Sequence, residues 1–423
     1  MKIIKPKISV GEQISLLEKC AANSLSLSEE LAKRGMVSED LCYSNNPELP
    51  IPSVAYEWMD DKLRVANNIP AVSFFAGAGG FDVGFHCAGY ENLASIEINQ
   101  IFCETLRYNF PKKLVVGPPH YSGDVRDRTS IAQILKEELR IKQPFEGVFH
   151  GGPPCQPFSI ASNQRFSKTG ENFKRIGFEH EEYGNLLTDY LWFILEFRPK
   201  VFIIENVAGF MDLDKGLQVR SALDTLINAG YSVSKPQVFD LADFGIPQHR
   251  NRFVVVGSRT GHTFKFPSKN RPHVPCVEVF KKDMNGVSNH EIRVHKPESL
   301  LRYVQLEYGK RDKLGRVDRL NPAKPSKTVI AGGTKGGGRS HLHPFIPRTI
   351  SVRECARLQT FPDWYVFTGA IARQFTQVGN AVPPLFAYKL AVEIQKQFFD
   401  NVLDSPEKVL QPKFEPTLFE EFA

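Results

Sequence analysis

Cys155 stands in Gly151-Gly152-Pro153-Pro154-Cys155-Gln156-Pro157-Phe158-Ser159, directly after the apolar run Val148-Phe149-His150. A cysteine thiolate is a strong nucleophile. The run before it reads as a short buried strand. Two glycines and two prolines then set a stiff, sharp turn, with Pro154 restricting the backbone just before the thiol. A cysteine on such a turn at a strand end is placed to meet a substrate; without those flanks it would read as core packing. A carboxylate is delivered to the same rim: Pro199-Lys200-Val201-Phe202-Ile203-Ile204 reads as a buried strand leading into Glu205-Asn206-Val207. Gln248-His249-Arg250-Asn251-Arg252 then brings two guanidinium groups to the start of another strand, residues 253–257.

A second set of residues suits a nucleoside-bearing ligand. Ile69-Pro70-Ala71-Val72-Ser73-Phe74-Phe75 reads as a buried parallel strand. Ala76-Gly77-Ala78-Gly79-Gly80 follows, and a helix over residues 81–88. In a strand–glycine turn–helix unit the missing side chains let the backbone approach a ligand, and the helix N-terminus favours a negative group. Asp82 occupies the third glycine's place in G-x-G-x-x-G, and the turn is not a G-x-x-x-x-G-K-[ST] loop, which argues against NAD and ATP. Leu93-Ala94-Ser95-Ile96-Glu97 reads as the next strand, ending on an acid that takes ribose hydroxyls or stands as a solvated charge. Asp124, in Gly123-Asp124-Val125, accepts from an adenine amino group or makes a turn. Glycine turn, Glu97 and Asp124 together fit S-adenosylmethionine at the C-terminal ends of parallel strands.

These groups need a scaffold, and the chain supplies one. Strands alternate with helical stretches (residues 185–196 and 217–229 among them) across residues 70–257, which argues a doubly wound α/β fold. The 423 residues are 42% hydrophobic and 24% charged, ordinary globular material for one large domain plus smaller parts. The net charge of +6 permits a polyanionic partner. No apolar stretch is long enough to span a membrane, and the start lacks a signal-peptide layout. The seven cysteines are scattered without a C-x-x-C pair, which argues against a disulfide framework or a metal site. A cytoplasmic enzyme is expected. Residues 1–69 form an N-terminal helical extension, read as a packing appendage or as a DNA-contacting or regulatory one. Residues 70–259 form the catalytic and cofactor-binding domain. Residues 160–183 read as a basic lid, with Arg165 and Lys168 meeting phosphates. Residues 260–347 are basic and irregular, read as a solvated region or as a small domain that grips a duplex. Residues 348–400 carry a capping box at Ser351 and Glu354, a loop over residues 377–384 and a last helix over 385–398. Residues 401–423 are a loose tail.

In order and spacing, these motifs resemble the DNA cytosine-5 methyltransferases. The resemblance rests on Phe75-Ala76-Gly77-Ala78-Gly79-Gly80, Glu97, Gly123-Asp124-Val125, Gly152-Pro153-Pro154-Cys155-Gln156, Glu205-Asn206-Val207, Gln248-His249-Arg250-Asn251-Arg252, Arg353-Glu354-x-x-Arg357-Leu358-Gln359-x-Phe361-Pro362 and Gln377-x-Gly379-Asn380-x-Val382. It covers roughly residues 70–395. Ser73 departs from the pattern, since many members carry Asp there. The extension has no counterpart in the family pattern, and residues 260–347 match the family's variable target-recognition region.

The resemblance implies a Rossmann-like S-adenosylmethionine-dependent domain with a smaller, irregular target-recognition domain, and residues 348–400 returning to the catalytic domain. It implies Cys155 as nucleophile at cytosine C6 and Glu205 at N3 and the exocyclic amine. Arg250 and Arg252 would hold that carboxylate and the nearby phosphate or ring oxygen, or form a strand-end salt bridge. The cofactor would lie across Phe75, Gly77, Gly79, Glu97, Asp124 and Asn380, with Pro153 and Leu186 as walls. The target base would be flipped out, Gln156, Ser159 and the lid would hold the opened strand, and Thr328 would brace the extruded nucleotide. The expected partner is double-stranded DNA, bound by a monomer. A cognate restriction endonuclease encoded nearby, forming no stable complex, is also implied. A tRNA methyltransferase of similar fold and a DNA-binding module without catalysis are the rival readings.

Overall fold

The computed structural model describes residues 7–41, 55–63, 66–154, 186–269, 272–314, 316–331 and 341–399. Among the described residues, an eight-stranded sheet organises the chain. Its strands are β1 (Pro70–Phe74), β2 (Glu91–Ile96), β3 (Leu114–Val116), β4 (Val148–Gly151), β5 (Val201–Val207), β6 (Ser232–Val233), β7 (Gln237–Asp240) and β8 (Asn251–Ser258). They run in the order β3-β2-β1-β4-β5-β8-β6, with β7 also paired to β8. The pairs from β3 to β5 are parallel, whereas β8 runs antiparallel to β5, β6 and β7. Strand order reverses between β1 and β4, and the crevice at such a switch point is where open α/β sheets bind ligands.

Both faces of the sheet are buried, which is why its strands read as nearly continuous apolar runs. Alternate residues enter different cores. Val148, Val201, Ile203, Val254 and Val256 face the helices Gly80–Cys87 and Pro384–Phe398. Phe149, Phe202, Ile204, Phe253 and Val255 face the helix Leu186–Phe197. This parity fixes the site. Glu205 continues the odd series of β5, and Arg252 the even series of β8, so both side chains belong to the first face.

Asp82 is a buried anchor beneath the glycine turn. Its carboxylate accepts from Ser95 Oγ at 2.7 Å and from Ser73 Oγ at 3.2 Å, and it pairs with Lys113. The acid in the third glycine's place therefore ties the helix Gly80–Cys87 to β1 and β2. Ser73, the position that departs from the family pattern, is one of its partners. Burial of His150 on β4, against Phe81 and Phe85, pushes its imidazole down to about 4, so it is neutral.

Residues 260–347 hold more regular structure than their composition suggests. They contain the helix Pro297–Gln305 and a small sheet of β9 (Arg311–Asp312), β10 (Val317–Arg319) and β11 (His341–Leu342). Such short strands leave no periodic signal. The extension forms the helices Val10–Ala22 and Leu27–Ala32, the second capped by Ser26. Beyond the small sheet, Val352–Leu358 is helical, with the Ser351–Glu354 capping box formed in both directions. Residues 377–380 are not a loop: they are the last turn of a helix, Ile371–Asn380. Gly379 is tolerated there because a Cβ would stand 2.3 Å from the Ala331 nitrogen, a close approach that only glycine allows.

Arg348 and Glu354 are fully buried and paired twice, at 2.7 and 2.8 Å. Burial alone would raise the Glu354 carboxyl; the Arg348 guanidinium outweighs it and holds it far below the usual carboxylate range. With the folded value depressed, this contribution is present above the unfolded value and lost as pH falls through the folded one. Replacing Glu354 by glutamine strands the buried guanidinium and is expected to cost about 3–5 kcal/mol. Urea unfolding at neutral pH checks this; a midpoint equal to wild type would refute it.

Candidate active site

Glu205 is buried at the strand-end rim, on β5. β4 and β5 pair in parallel with Gly151 opposite Ile204, so Gly152 comes abreast of Glu205. A Cβ on Gly152 would stand 2.7 Å from Glu205 Oε2, so the absence of a side chain there makes room for the carboxylate. On the other side, Arg252 Nε meets Glu205 Oε1 at 2.9 Å. In the antiparallel register Glu205 faces Val254, which makes Arg252 its diagonal same-face neighbour. Burial raises the Glu205 carboxyl above its ordinary value, against the pull of Arg252 and Arg250. Burial likewise lowers Arg252. A carboxyl held this way keeps a proton to higher pH and can donate it to a ring nitrogen. Asn206 supports the turn, donating from Nδ2 to the Pro153 carbonyl at 3.1 Å.

Arg250 takes a different post. Its guanidinium is fully buried and donates to the carbonyls of Gly379 at 2.9 Å, Ala381 at 3.0 Å and Val329 at 3.2 Å. Two of these are at the C-terminus of Ile371–Asn380, where helix carbonyls lack intrahelical donors. Arg250 thus ties the start of β8 to the chain's return segment, and the pair with Glu205 is made by Arg252. Gln248 works beside it, donating to Gln359 Oε1 at 2.8 Å and accepting from the Val329 amide at 2.7 Å. The Thr328 hydroxyl donates to the His249 carbonyl at 2.7 Å.

The glycine turn lies at the ends of β1 and β2. Phe75, Gly77 and Gly79 all have positive φ, at 52°, 56° and 76°. A Cβ on Gly77 would meet nothing within 4 Å, so its absent side chain faces open space. Glu97 Oε2 accepts from the Gly77 amide at 2.8 Å, and Oε1 from the Asn99 amide at 2.7 Å. Burial raises the Glu97 carboxyl despite these amides. Phe75 meets Tyr190 edge-on, with ring centroids 6.0 Å apart. Asp124 is half-buried and holds the Arg126 guanidinium at 2.6 Å. Pro153 and Leu186 are buried, Leu186 within the core on its face of the sheet, and Asn380 is exposed at its helix end. Sequence reasoning missed Ile98, 56% exposed directly after Glu97, an apolar side chain set beside the turn. It also missed Tyr365, whose hydroxyl donates to the Ala78 carbonyl at 2.8 Å and so braces the glycine turn. The sequence showed an aliphatic directly after a strand-end acid; only the structure shows that it is exposed.

Cys155, Gln156, Ser159, Arg165 and Lys168 lie outside the described residues, as do the 160–183 lid and the tail. The described chain reaches Pro154, the residue before the cysteine.

A doubly wound sheet with a glycine turn after β1, an acid after β2 and a glycine-spaced carboxylate on β5 defines a Rossmann-like methyltransferase. The family model for C-5 cytosine-specific DNA methylases matches residues 69–396, and the chain belongs to that family. Its activity is that of a DNA (cytosine-5-)-methyltransferase. The type II methyltransferase M.NgoFVII of Neisseria gonorrhoeae is 32% identical over 83% of this chain and 94% of its own. M1.HphI of Haemophilus parahaemolyticus is 31% identical over 83% and 96%. Among solved structures, a protein described as a DNA modification methyltransferase encoded within an E. coli prophage shares the fold. Its TM-score is 0.62 at 24% identity, covering 78% of this chain and 99% of that one. The Entamoeba histolytica methyltransferase EhMeth follows, with a TM-score of 0.53 at 16% identity over 78% and 98%.

Proposed function

We propose that the protein methylates C5 of one cytosine within a short double-stranded DNA sequence, as the modification half of a restriction–modification system. The observation that supports this best is the Glu205 carboxyl, buried between Arg252 and the space left by Gly152, three residues before Cys155. The fold and site suit S-adenosylmethionine, which supplies an electrophilic methyl group when bound. Phe75, Gly77, Gly79, Glu97, Asp124 and Asn380 would hold it, with Pro153 and Leu186 as walls and Ile98 against an apolar ring face. The open space over Gly77 and the buried Glu97 carboxyl are the features that fit such a ligand.

The chain's own residues then act on the base. Cytosine C5 is a poor nucleophile, and Cys155 changes that by adding its thiolate to C6. The C6–S bond forms as the ring's C5=C6 electrons move toward C5 and N3. Glu205 donates its proton toward N3, and Arg252 keeps the carboxyl in place as charge develops. After C5 has gained the methyl group, loss of the C5 proton to a base or water returns electrons to the ring. The C6–S bond then breaks, Cys155 leaves as thiolate, and N3 gives its proton back to Glu205. The base must leave the duplex for this chemistry. Gln156, Ser159, Arg165 and Lys168 are assigned to the opened strand and Thr328 to the nucleotide backbone. Residues 260–347 would be the target-recognition domain on a catalytic domain of residues 70–259. At the β9–β10 connection, Lys313, Leu314 and Arg316 are exposed, two cations and an apolar side chain suited to a groove. A cytoplasmic monomer, with an endonuclease encoded nearby and not stably bound, completes the reading. Among the described residues no helix is long and apolar enough to cross a membrane.

Purified protein incubated with methyl-labelled S-adenosylmethionine and mixed-sequence duplex DNA tests the proposal, with bisulfite sequencing to map the product. Label at C5 within a single short sequence is the expected result. Label in tRNA and none in DNA would replace the reading with RNA modification; DNA binding without transfer to either would leave a binding module.

A further inference from the structure

The N-terminal extension reaches both ends of the basic 260–347 segment. On one side, the helices Val10–Ala22 and Leu27–Ala32 share a core with it: Leu16, Leu17, Cys20, Leu27 and Leu31 pack with Leu300 and Ile346. That cluster is separate from the cores on the two sheet faces. On the other side, residues 55–63 run across the junction where the basic segment meets the return segment. Arg357 gathers this junction, donating to the carbonyls of Lys282 and Asp283 at 2.7 Å and to the Asp363 carboxylate at 2.8 and 2.9 Å.

Trp58 and Asp60 cover that knot. The Trp58 ring takes Lys282 Nζ at 4.6 Å and the Arg357 guanidinium at 5.5 Å. Asp60 accepts from the Asp363 amide and from Lys282 Nζ, both at 2.8 Å. Tyr56 meets Trp58 edge-on and donates to the Arg357 carbonyl at 3.3 Å. Glu57 pairs with Lys389 of the last helix at 2.9 Å, and Met59 is buried in the core beneath. One short stretch therefore grips the basic segment, the return segment and the last helix. The same extension also closes the far cluster at Leu300 and Ile346.

We propose that Trp58 and Asp60 are positioning residues for DNA. Through Lys282, Arg357 and Asp363 they set how the target-recognition segment stands against the catalytic sheet, without touching cofactor or reacting atoms. This rests on the DNA-methylation reading, in which that segment meets the duplex.

The test uses the full-length enzyme and the variants Trp58→Ala, Asp60→Ala and Trp58→Phe. Kinetics are measured with duplex DNA at several salt concentrations, and cofactor affinity is measured by equilibrium titration. The two alanine variants are expected to raise the KM for DNA about tenfold, because a small misplacement of a binding element is costly. They should leave kcat and cofactor affinity within about twofold, and Trp58→Phe should restore most of the KM, since its ring still receives cations. The salt slope of DNA binding should match wild type, because no phosphate contact is removed. An unchanged KM in both alanine variants would overturn the proposal. So would a joint loss of kcat and cofactor affinity, which marks general destabilisation, or a shallower salt slope, which marks direct phosphate contact. Wild-type protein that transfers no methyl group to DNA would sink the activity reading itself. Hydrogen exchange at residues 279–283, faster in the alanine variants than in wild type, reads the positioning contact independently of activity.

Discussion

Cys155→Ser is expected to lower kcat by about a thousandfold or more, the loss typical of removing a catalytic nucleophile. The two side chains are close in size, so the effect tests chemistry more than packing. A free thiol has a pKa of roughly 8.5 and supplies some thiolate at neutral pH, whereas a serine hydroxyl supplies almost no alkoxide. On the proposed mechanism nothing then adds to C6, and C5 keeps its poor nucleophilicity. DNA and cofactor affinity should stay near wild type, since the thiol's contribution is a bond formed only during reaction. A substrate with fluorine at C5 gives a second readout. Fluorine cannot leave as a cation, so the last elimination stalls, and wild-type protein should accumulate a denaturation-stable adduct linked through Cys155. The serine variant should give none. Methyl transfer by the serine variant at wild-type rate, or an adduct mapped to another cysteine, would remove Cys155 from the mechanism.

Much of the catalytic half could be read in the sequence because burial on both faces leaves unbroken apolar runs. β1, β4, β5 and β8 were visible this way, and each led directly to a group now found at the rim: the glycine turn, Gly152, Glu205 and Arg252. The capping box at Ser351 was equally legible, since its spacing is local. What stayed hidden depends on partners far along the chain. Arg250 looks like a companion of Arg252, yet its guanidinium serves helix carbonyls at Gly379 and Ala381, and only the folded chain brings them together. Residues 377–380 resembled a loop because a glycine precedes two nearby prolines; the glycine stands inside a helix because the Ala331 backbone passes too close for a side chain. β9, β10 and β11 are too short to carry a period. The extension gave its helices away but not their destination, because Leu300 and Ile346 are distant in sequence.

Glu205→Gln should reduce kcat/KM by about a hundredfold or more, the usual range for losing a positioned general acid. Glutamine keeps the volume and can still donate a hydrogen bond from its amide, so the space left by Gly152 remains filled. What it cannot do is transfer a proton toward N3 as the thiolate adds. It also ends the ion pair with Arg252, whose charge would remain buried without a counterpart. The pH dependence separates these effects. Burial raises the folded value of Glu205, so wild-type activity that needs the protonated carboxyl should fall as pH rises through that value. The glutamine variant has no proton to lose there, and that limb should vanish from its profile. Stability carries the same sign: a carboxyl with a raised folded value binds more protons folded than unfolded, so its contribution is present at low pH and is lost as pH rises from the ordinary glutamate range through the folded value. Glu205→Gln should remove that decline. Arg252→Lys is the companion variant, since it keeps the charge but loses the planar Nε contact. It should weaken catalysis while preserving the pH limb, because Glu205 itself is still present. If Glu205→Gln instead kept full kcat/KM with an unaltered pH profile, the proton would have to come from elsewhere, and the buried Arg252–Glu205 pair would be a structural strut between β5 and β8.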